Sequence, residues 1–272
     1  MKRYPTTLII AGSDSSGGAG IQADMKTCSA LGVYATTAIT AVTAQNSQGV
    51  RFIQPIETQI VRQQIEAVLD DLVVDSIKIG MLCNAAIAHT VADVLSHCHI
   101  PIILDPVMLS TSGHKLLSDD AIEVIVKRLF PMAEIITPNI NEAGLLTTTT
   151  INNSSQITPV AHSLLKLGCK AVLMKGGHLS DTMATDILVS EQKQILYSKP
   201  FIDTRNTHGT GCTLSSAIAA YRALGYPLAQ AVEYAKDYLH TAIENGANIF
   251  AGNGHGSLNH LSHPHPIVPV EY

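Results

Sequence analysis

Short apolar runs rich in β-branched residues recur along the chain, and helix-patterned segments separate them. Residues 6–11 (TTLIIA), 33–44, 76–80 (SIKIG), 101–105 (PIILD), 134–137 (EIIT) and 171–175 (AVLMK) read as strands. Helical periodicity covers 21–31, 57–72, 85–98, 119–130, a segment starting near Asn141, 160–167, 213–224 and 228–245. A polar turn between 187–189 and 194–197 predicts an antiparallel hairpin, and residues 52–56 a short extra strand. Strands that alternate with helices at short intervals predict an α/β fold with a mostly parallel central sheet and helices on both faces. No repeat, low-complexity tract or linker interrupts the sequence, so a single domain over 1–272 is expected.

Composition narrows the function classes. The net charge of −5 comes with no basic stripe, which argues against nucleic acid as a partner. No apolar run approaches the ~18 residues of a membrane span. Met1-Lys2-Arg3-Tyr4-Pro5 leads into a strand-like run and lacks a signal-peptide core. The five cysteines are odd in number, scattered and without a CxxC pair, so reduced thiols and a cytoplasmic location are expected.

Ligands of parallel sheets bind beyond the carboxyl ends of the strands. Gly12, Gln45, Met81, Asp105, Asn139, Lys175 and the Gly209 loop all fall at such ends, so they should converge on one crevice. Thr207-His208-Gly209-Thr210-Gly211-Cys212 precedes an Ala-rich helical run. Glycines free the backbone to aim several N–H groups at one point, and a helix start favours an anion there. That reads as a cradle for phosphate oxygens; a glycine-rich turn before a core helix is the equal alternative. A thiol at a helix N-terminus tends toward a lowered pKa, which makes Cys212 a candidate base.

Other motifs have two readings each. Gly18-Ala19-Gly20-Ile21-Gln22-Ala23 matches GxGxxA, but no acid lies between Met25 and Ile56, so a dinucleotide site is not expected. Asp24 is either a helix-dipole partner or an acceptor for a substrate hydroxyl or ring nitrogen. Gln45 is either a polar strand end or an amide that reads an aminopyrimidine edge. Asp105 either caps a turn before Pro106 or holds Mg²⁺ through water. Asn139 and Glu142, at i and i+3, form a capping box or a paired amide and carboxylate. Lys175 can reach phosphate as a point charge. The histidines read as solvated or tail-packing, and the methionines as core fillers.

Seven blocks together resemble one family: IAGSDSSGGAGIQADMKT (10–27), TAQNSQGV (43–50), KIGML (78–82), DPVM (105–108), TPNINEA (137–143), KGGHL (175–179) and THGTGCTLSSAIAA (207–220). In order and spacing, from about Ile9 to His260, they are similar to hydroxymethylpyrimidine/phosphomethylpyrimidine kinases of the ribokinase-like superfamily. The resemblance implies two ATP-dependent phosphorylations in thiamine biosynthesis. 4-Amino-5-hydroxymethyl-2-methylpyrimidine (HMP) becomes the monophosphate, then the diphosphate. It implies that Gln45, Asp24, Gly12 and Val107 line the pyrimidine pocket, and that Gly209, Thr210, Gly211 and Cys212 form the anion hole. Cys212 stands where sugar kinases of the superfamily carry an Asp base. Asp105 and Glu142 would organise Mg²⁺ and its waters. Lys175, Asn139, Thr207 and Lys236 would serve nucleotide and phosphate binding. A cytoplasmic homodimer is implied as well. Asn84-Ala85-Ala86, residues 147–150 and the tail from Ser262 carry no family signal, and Ser257 stands where the family pattern expects proline. A pyridoxal kinase of the same fold and a non-catalytic thiamine-precursor binder are the rival readings. Which loop closes over the site is open in the sequence; residues 13–20 and 109–115 are the two candidates, since closure would exclude water from the transferring phosphate.

Overall fold

The computed structural model of the protein describes residues 2–108, 116–176 and 182–271. The candidate closing stretch 109–115, and residues 177–179 of one family-like block, lie outside the described residues. The strands are β1 (Lys2–Arg3), β2 (Thr6–Asp14), β3 (Tyr34–Asn46), β4 (Gly49–Pro55), β5 (Ser76–Ile79), β6 (Ile102–Leu104), β7 (Ile135–Ile136), β8 (Ala171–Met174), β9 (Met183–Ser190), β10 (Gln194–Pro200) and β11 (Val270–Glu271). The α-helices are α1 (Gly20–Ala30), α2 (Thr58–Asp71), α3 (Ala85–Leu95), α4 (Asp119–Val124), α5 (Ile140–Thr147), α6 (Ile157–Leu165), α7 (Thr210–Ala223) and α8 (Leu228–Gly246).

Among the described residues, nine strands form one sheet in the order β10-β9-β8-β7-β6-β5-β2-β3-β4. Strands β3, β2, β5, β6, β7 and β8 pair in parallel. The antiparallel additions are β4 at one edge and the β9–β10 hairpin at the other. The terminal strands β1 and β11 pair separately with each other.

Strand periodicity explains the layers. Successive strand residues face opposite sides, so each parallel strand feeds two cores. Leu8, Ile10, Ile77, Ile79, Ile102 and Leu104 pack against Val61, Ile65, Ile87, Val91 and Leu164 of α2, α3 and α6. Ile9, Ile103, Ile135 and Leu173 face the other way, against Ile21, Leu214, Ile218, Val232 and Leu239 of α1, α7 and α8. The expected mostly parallel sheet with helices on both faces is what the chain forms.

Besides shifted element ends and the unanticipated pair β1–β11, two departures from the sequence expectation have a local physical cause. The strand beginning at Thr6 continues past Ala11 to Asp14, because Ser13 and Asp14 pair with Val42 and Thr43 after a register shift at Gly12. The helix expected over 119–130 is α only to Val124; it runs on through a π-helical turn, Ile125–Leu129, and a 3-10 turn, Phe130–Met132. Pro131 lacks an N–H and its ring conflicts with the carbonyl four residues back, so the α-helical ladder stops there. The wider turn leaves both Leu129 and Phe130 fully buried.

One tail histidine is structural. His260 is buried, its Nε2 lies 2.9 Å from the Thr213 hydroxyl of α7, and its carbonyl accepts from the Tyr238 hydroxyl at 2.7 Å. Burial, helped by the charge of Lys26, pushes its pKa down to about 4 from 6.5. The unfolded chain therefore takes up this proton first as pH falls. The stabilising effect of neutral His260 is complete above pH 6.5 and is lost as pH falls toward 4, by up to about 3 kcal/mol. Urea unfolding at pH 7 and pH 4.5 should show this loss, and His260→Gln should reduce the difference between the two pH values by about 2 kcal/mol.

Candidate active site

The site forms where the carboxyl ends of β2, β3, β6 and β8 meet the start of α7. Asp14 ends β2, and its carboxylate gathers the following loop. It accepts from Ser16 N at 2.8 Å, Gly18 N at 3.1 Å and Ala19 N at 2.8 Å. Residues 207–209 lie directly against that loop. A Cβ on Gly18 would strike the His208 ring, and a Cβ on Gly209 would strike the Gly18 carbonyl oxygen. Gly209 is also left-handed, at φ 89°, a conformation glycine adopts without steric cost. It is the N-cap of α7, and no side chain caps that end. The Thr207 carbonyl closes the turn by accepting from Thr210 N at 3.3 Å. Ala19 likewise starts α1 with no side-chain cap, so two helix starts lie side by side. Their leading N–H groups and dipoles favour an anion at this place.

Beneath the helix starts lies a charge pair sealed from water. Lys78 of β5 points between α1 and α7, because its neighbours Ile77 and Ile79 face the opposite core. Lys78 Nζ donates to Asp24 Oδ2 at 2.7 Å, and the Ser216 hydroxyl donates to Asp24 Oδ1. Neither Lys78 nor Asp24 has accessible surface. The direct substrate contact expected of Asp24 is therefore corrected: both its oxygens are engaged inside the protein. Cys212 sits above this pair, half-buried, with a hydrogen bond from the Gly20 backbone. Its thiol pKa is pushed up to about 11, chiefly by burial and despite the Lys78 charge. This reverses the lowered value expected from the helix N-terminus. The dipole of one helix end is a smaller effect than desolvation of a thiolate beside Asp24 and Asp105.

A second charged cluster adjoins the start of α7. Lys175 Nζ donates to Asp105 Oδ1 at 2.8 Å and lies 4.0 Å from Glu142 Oε2. The Thr137 hydroxyl also donates to Asp105 Oδ1, at 2.9 Å. A Cβ built on Gly211 would sit 3.2 Å from Lys175 Nζ and 3.4 Å from Asp105 Oδ2, so the cluster abuts the anion cradle. Asn139 and Glu142 form a reciprocal capping box at the start of α5. Glu142 Oε2 accepts from Asn139 N at 2.8 Å. Burial, with Asp105 nearby, pushes the Glu142 pKa up to about 7 against the opposing pull of Lys175. The described residues contain no group of three or more His, Cys, Asp or Glu that could hold a metal ion. Lys236 is corrected too. Its amine is buried 2.7 Å from Asp186 Oδ2, and Asp186 Oδ1 accepts from Gly176 N at 3.0 Å. Lys236 thus anchors the backbone next to Lys175 rather than offering a free ammonium.

Gln45 closes β3 at the other side of the site. Its backbone is pinned by Ser15 Oγ, which accepts from Gln45 N at 2.8 Å and donates to Gln45 O at 2.7 Å. Its amide lies between Thr43 Oγ1 and His208 Nε2. Gly12 is buried, and the Met81 ε-methyl occupies the space a side chain there would need. Val107 is half-buried in the loop after β6, its N–H donating to Asp105 O at 2.8 Å. Sequence reasoning passed over Asp14, Lys78 and His208. Of these only Lys78 left a signal, a cation between two isoleucines in a buried strand.

A family profile described as phosphomethylpyrimidine kinase matches residues 14–259. This chain belongs to that family. It is 45% identical over 255 residues to a hydroxymethylpyrimidine/phosphomethylpyrimidine kinase of Rhizobium meliloti, covering 93% of this chain and 96% of that one. The Escherichia coli protein of the same name is 44% identical over 263 residues, covering 96% and 98%. A crystal structure of phosphomethylpyrimidine kinase from Clostridium difficile superposes with a TM-score of 0.78 at 46% identity, covering 88% and 99%. The pyridoxal kinase of Staphylococcus aureus, solved with AMP-PCP and pyridoxal, gives a TM-score of 0.87 at 29% identity, covering 96% and 95%. The chain is thus a phosphotransferase of the ribokinase-like fold.

Two left-handed glycines separate backbone strain from site geometry. Gly209 (φ 89°) has the Gly18 carbonyl where a Cβ would go, whereas a Cβ on Gly225 (φ 87°) would have no atom of the described residues within 4 Å. Gly225→Ala should cost about 1 kcal/mol and leave turnover unchanged. Gly209→Ala should cost several kcal/mol in thermal unfolding, or lower kcat by at least about a hundredfold if the loops part.

Proposed function

We propose that this chain phosphorylates HMP at its hydroxymethyl oxygen and then phosphorylates the resulting monophosphate to the diphosphate, with ATP as the donor. The observation that carries the reading is the uncapped start of α7 at Gly209, set against the Lys175–Asp105 pair at Gly211. Phosphoryl transfer asks a protein mainly to position groups and to stabilise charge on the transferring oxygens. The N–H groups of Gly211 and Cys212 would face those oxygens, with the Lys175 ammonium beside them. Gln45 would read the aminopyrimidine edge, with Val107 and the Gly12 backbone lining the pocket. Thr207 and Thr210 would frame the cradle, and Asn139 would set the α5 start next to the donor phosphates.

The charge count supports Mg²⁺ as the metal. Asp105 and Glu142 place two carboxylates around one ammonium, so a bare polyphosphate arriving there meets net negative charge. Hard oxygen donors of this kind suit Mg²⁺ held through its waters, with substrate phosphates completing the shell. When bound, Mg²⁺ would neutralise charge on the transferring group. A purely binding protein has no use for this set of groups. The second reading is pyridoxal phosphorylation, supported by the close superposition on a pyridoxal kinase.

Incubating the protein with Mg·ATP and HMP, HMP-phosphate or pyridoxal, and following products by mass spectrometry, tests both readings. HMP diphosphate is the expected product. Product from pyridoxal alone would replace the pyrimidine reading, and ligand binding without turnover would replace the enzyme by a sensor.

Cys212 is expected to matter for one step. A hydroxyl acceptor must lose a proton, whereas a phosphate acceptor is already anionic at neutral pH. With its pKa near 11, the fraction of Cys212 as thiolate rises tenfold per pH unit through the neutral range. The first step should therefore quicken with rising pH, and Cys212→Ala should remove that slope and slow the first step more than the second. Equal losses in both steps would leave the residue as anion-hole backbone only.

We also read the β4 edge as a self-association face of a cytoplasmic homodimer. Phe52 is 63% exposed on this edge strand and shares a sheet face with Ala44 and Val42. An unpaired edge with apolar side chains invites pairing with a second copy. Light scattering on a sizing column should show a dimer, and Phe52→Glu should shift it to monomer with the fold retained.

A further inference from the structure

The family reading gives Gln45 the task of recognising a ring but leaves open what orients its amide. A primary amide has a donor end and an acceptor end of nearly equal shape, and only its neighbours decide which is which. In the structure Gln45 Nε2 lies 3.3 Å from His208 Nε2, and Gln45 Oε1 lies 3.2 Å from Thr43 Oγ1. The protons at these atoms can be counted. Asp14 holds its carboxyl pKa down to about 2, with His208 and the Ser16 and Ala19 N–H groups opposing the effect of burial, so it only accepts. His208 Nε2 lies 2.8 Å from Asp14 Oδ2 and must therefore carry a proton, whether the ring is neutral or charged. A nitrogen that donates cannot accept from an amide N–H. The Thr43 hydroxyl, for its part, gives its single proton to the Ser13 carbonyl at 2.9 Å. It is left to accept, not to donate, toward Gln45.

Both neighbours require the same arrangement. The Gln45 oxygen faces His208, which shares its Nε2 proton between Asp14 and that oxygen. The Gln45 nitrogen faces Thr43 and donates to it. Turned this way, every proton has an acceptor; turned the other way, two N–H groups oppose each other and the Thr43 proton has two claimants. The rest of the residue is equally fixed. Ser15 bonds both backbone groups of Gln45, and a register shift between Ala44 and Gln45 sets the side chain's direction.

Resting on the proposed kinase reading, we infer that His208 and Thr43 are positioning residues that lock the Gln45 amide in one orientation and so make the site select an aminopyrimidine over its 4-oxo counterpart. One N–H and one oxygen lone pair of the amide remain for the ligand. An aminopyrimidine presents an exocyclic N–H donor beside a ring-nitrogen acceptor. The 4-oxo ring presents an acceptor beside a ring N–H donor, the reverse pattern. A free amide serves either ring by turning over. A locked one meets the wrong ring with oxygen against oxygen and N–H against N–H, and unpaired buried polar groups are costly.

The test compares kcat/KM, with Mg·ATP, for HMP and for its 4-oxo analogue in wild type, His208→Leu, His208→Gln and Thr43→Val. The wild-type preference for the amino ring should fall at least about tenfold in His208→Leu and in Thr43→Val. His208→Gln restores an N–H donor and should regain most of the preference. A general loosening of the site would lower both rates together and leave the ratio in place. Thermal unfolding checks each variant. If His208→Leu does not fold, Thr43→Val, nearly the same in shape, decides from the other end of the amide. A ratio unchanged in the folded variants overturns the lock while leaving the kinase reading intact. A wild type that phosphorylates neither ring overturns the kinase reading, and the lock with it.

Discussion

An ammonium without access to water sits between a parallel sheet and two of the helices packed on it, and the geometry of the site depends on how it is held. Lys78 has its amine against Asp24 of α1, and Asp24 is shared with Ser216 of α7. Burying a lone charge of either sign costs far more than a methylene gains, so the two must stay together. The pair therefore fixes where α1 and α7 stand relative to β5 and to each other. Both helices begin within the same few residues of space, Gly20 beside Cys212 and Ala19 beside Gly209. A buried ion pair of this kind is weak evidence for stability. Its worth here is positional, because it converts three separate elements into one rigid support for two helix starts.

The glycines act on the same surface from above. Gly18 and Gly209 let two loops touch backbone to backbone, and Asp14 uses most of its hydrogen-bonding capacity to keep the first loop curled. His208 crosses that seam to Asp14, so the loop that cradles the anion and the loop that follows β2 cannot move independently. This bears on residues 13–20 as one of the two candidate closing stretches. Asp14, His208 and Ser15 tie that stretch to itself, to the Gly209 loop and to Gln45.

Much of this was open to reading in the amino-acid order. Alternating strands and helices imply a parallel sheet, and a parallel sheet brings its strand ends together, which is why Gln45, Asp105, Lys175 and the Gly209 loop are expected along one edge of it. What could not be read was pairing across distance. The partner of His208 is Asp14, 194 residues away, and nothing local marks either residue. The role of Asn139 and Glu142 was undecided because their spacing serves capping and chemistry alike, and the structure shows that the capping box is formed. For the Cys212 thiol, a helix N-terminus is visible in sequence, whereas the burial that outweighs it is not.

The burial of Cys212 also explains why a thiol is suited to this position. Asp24, Asp105 and Glu142 already place three carboxyl groups around the start of α7, against the ammonium groups of Lys78 and Lys175. A carboxylate at position 212 would add a further negative charge where the transferring phosphoryl oxygens must come. A thiol with its pKa near 11 is neutral until a proton has to leave, so it adds nothing to the repulsion in the resting site. The same burial that weakens Cys212 as a base at neutral pH thus lets the cradle accept an anion. For an acceptor that is itself a phosphate, which adds negative charge and needs no base, a neutral side chain is the better neighbour.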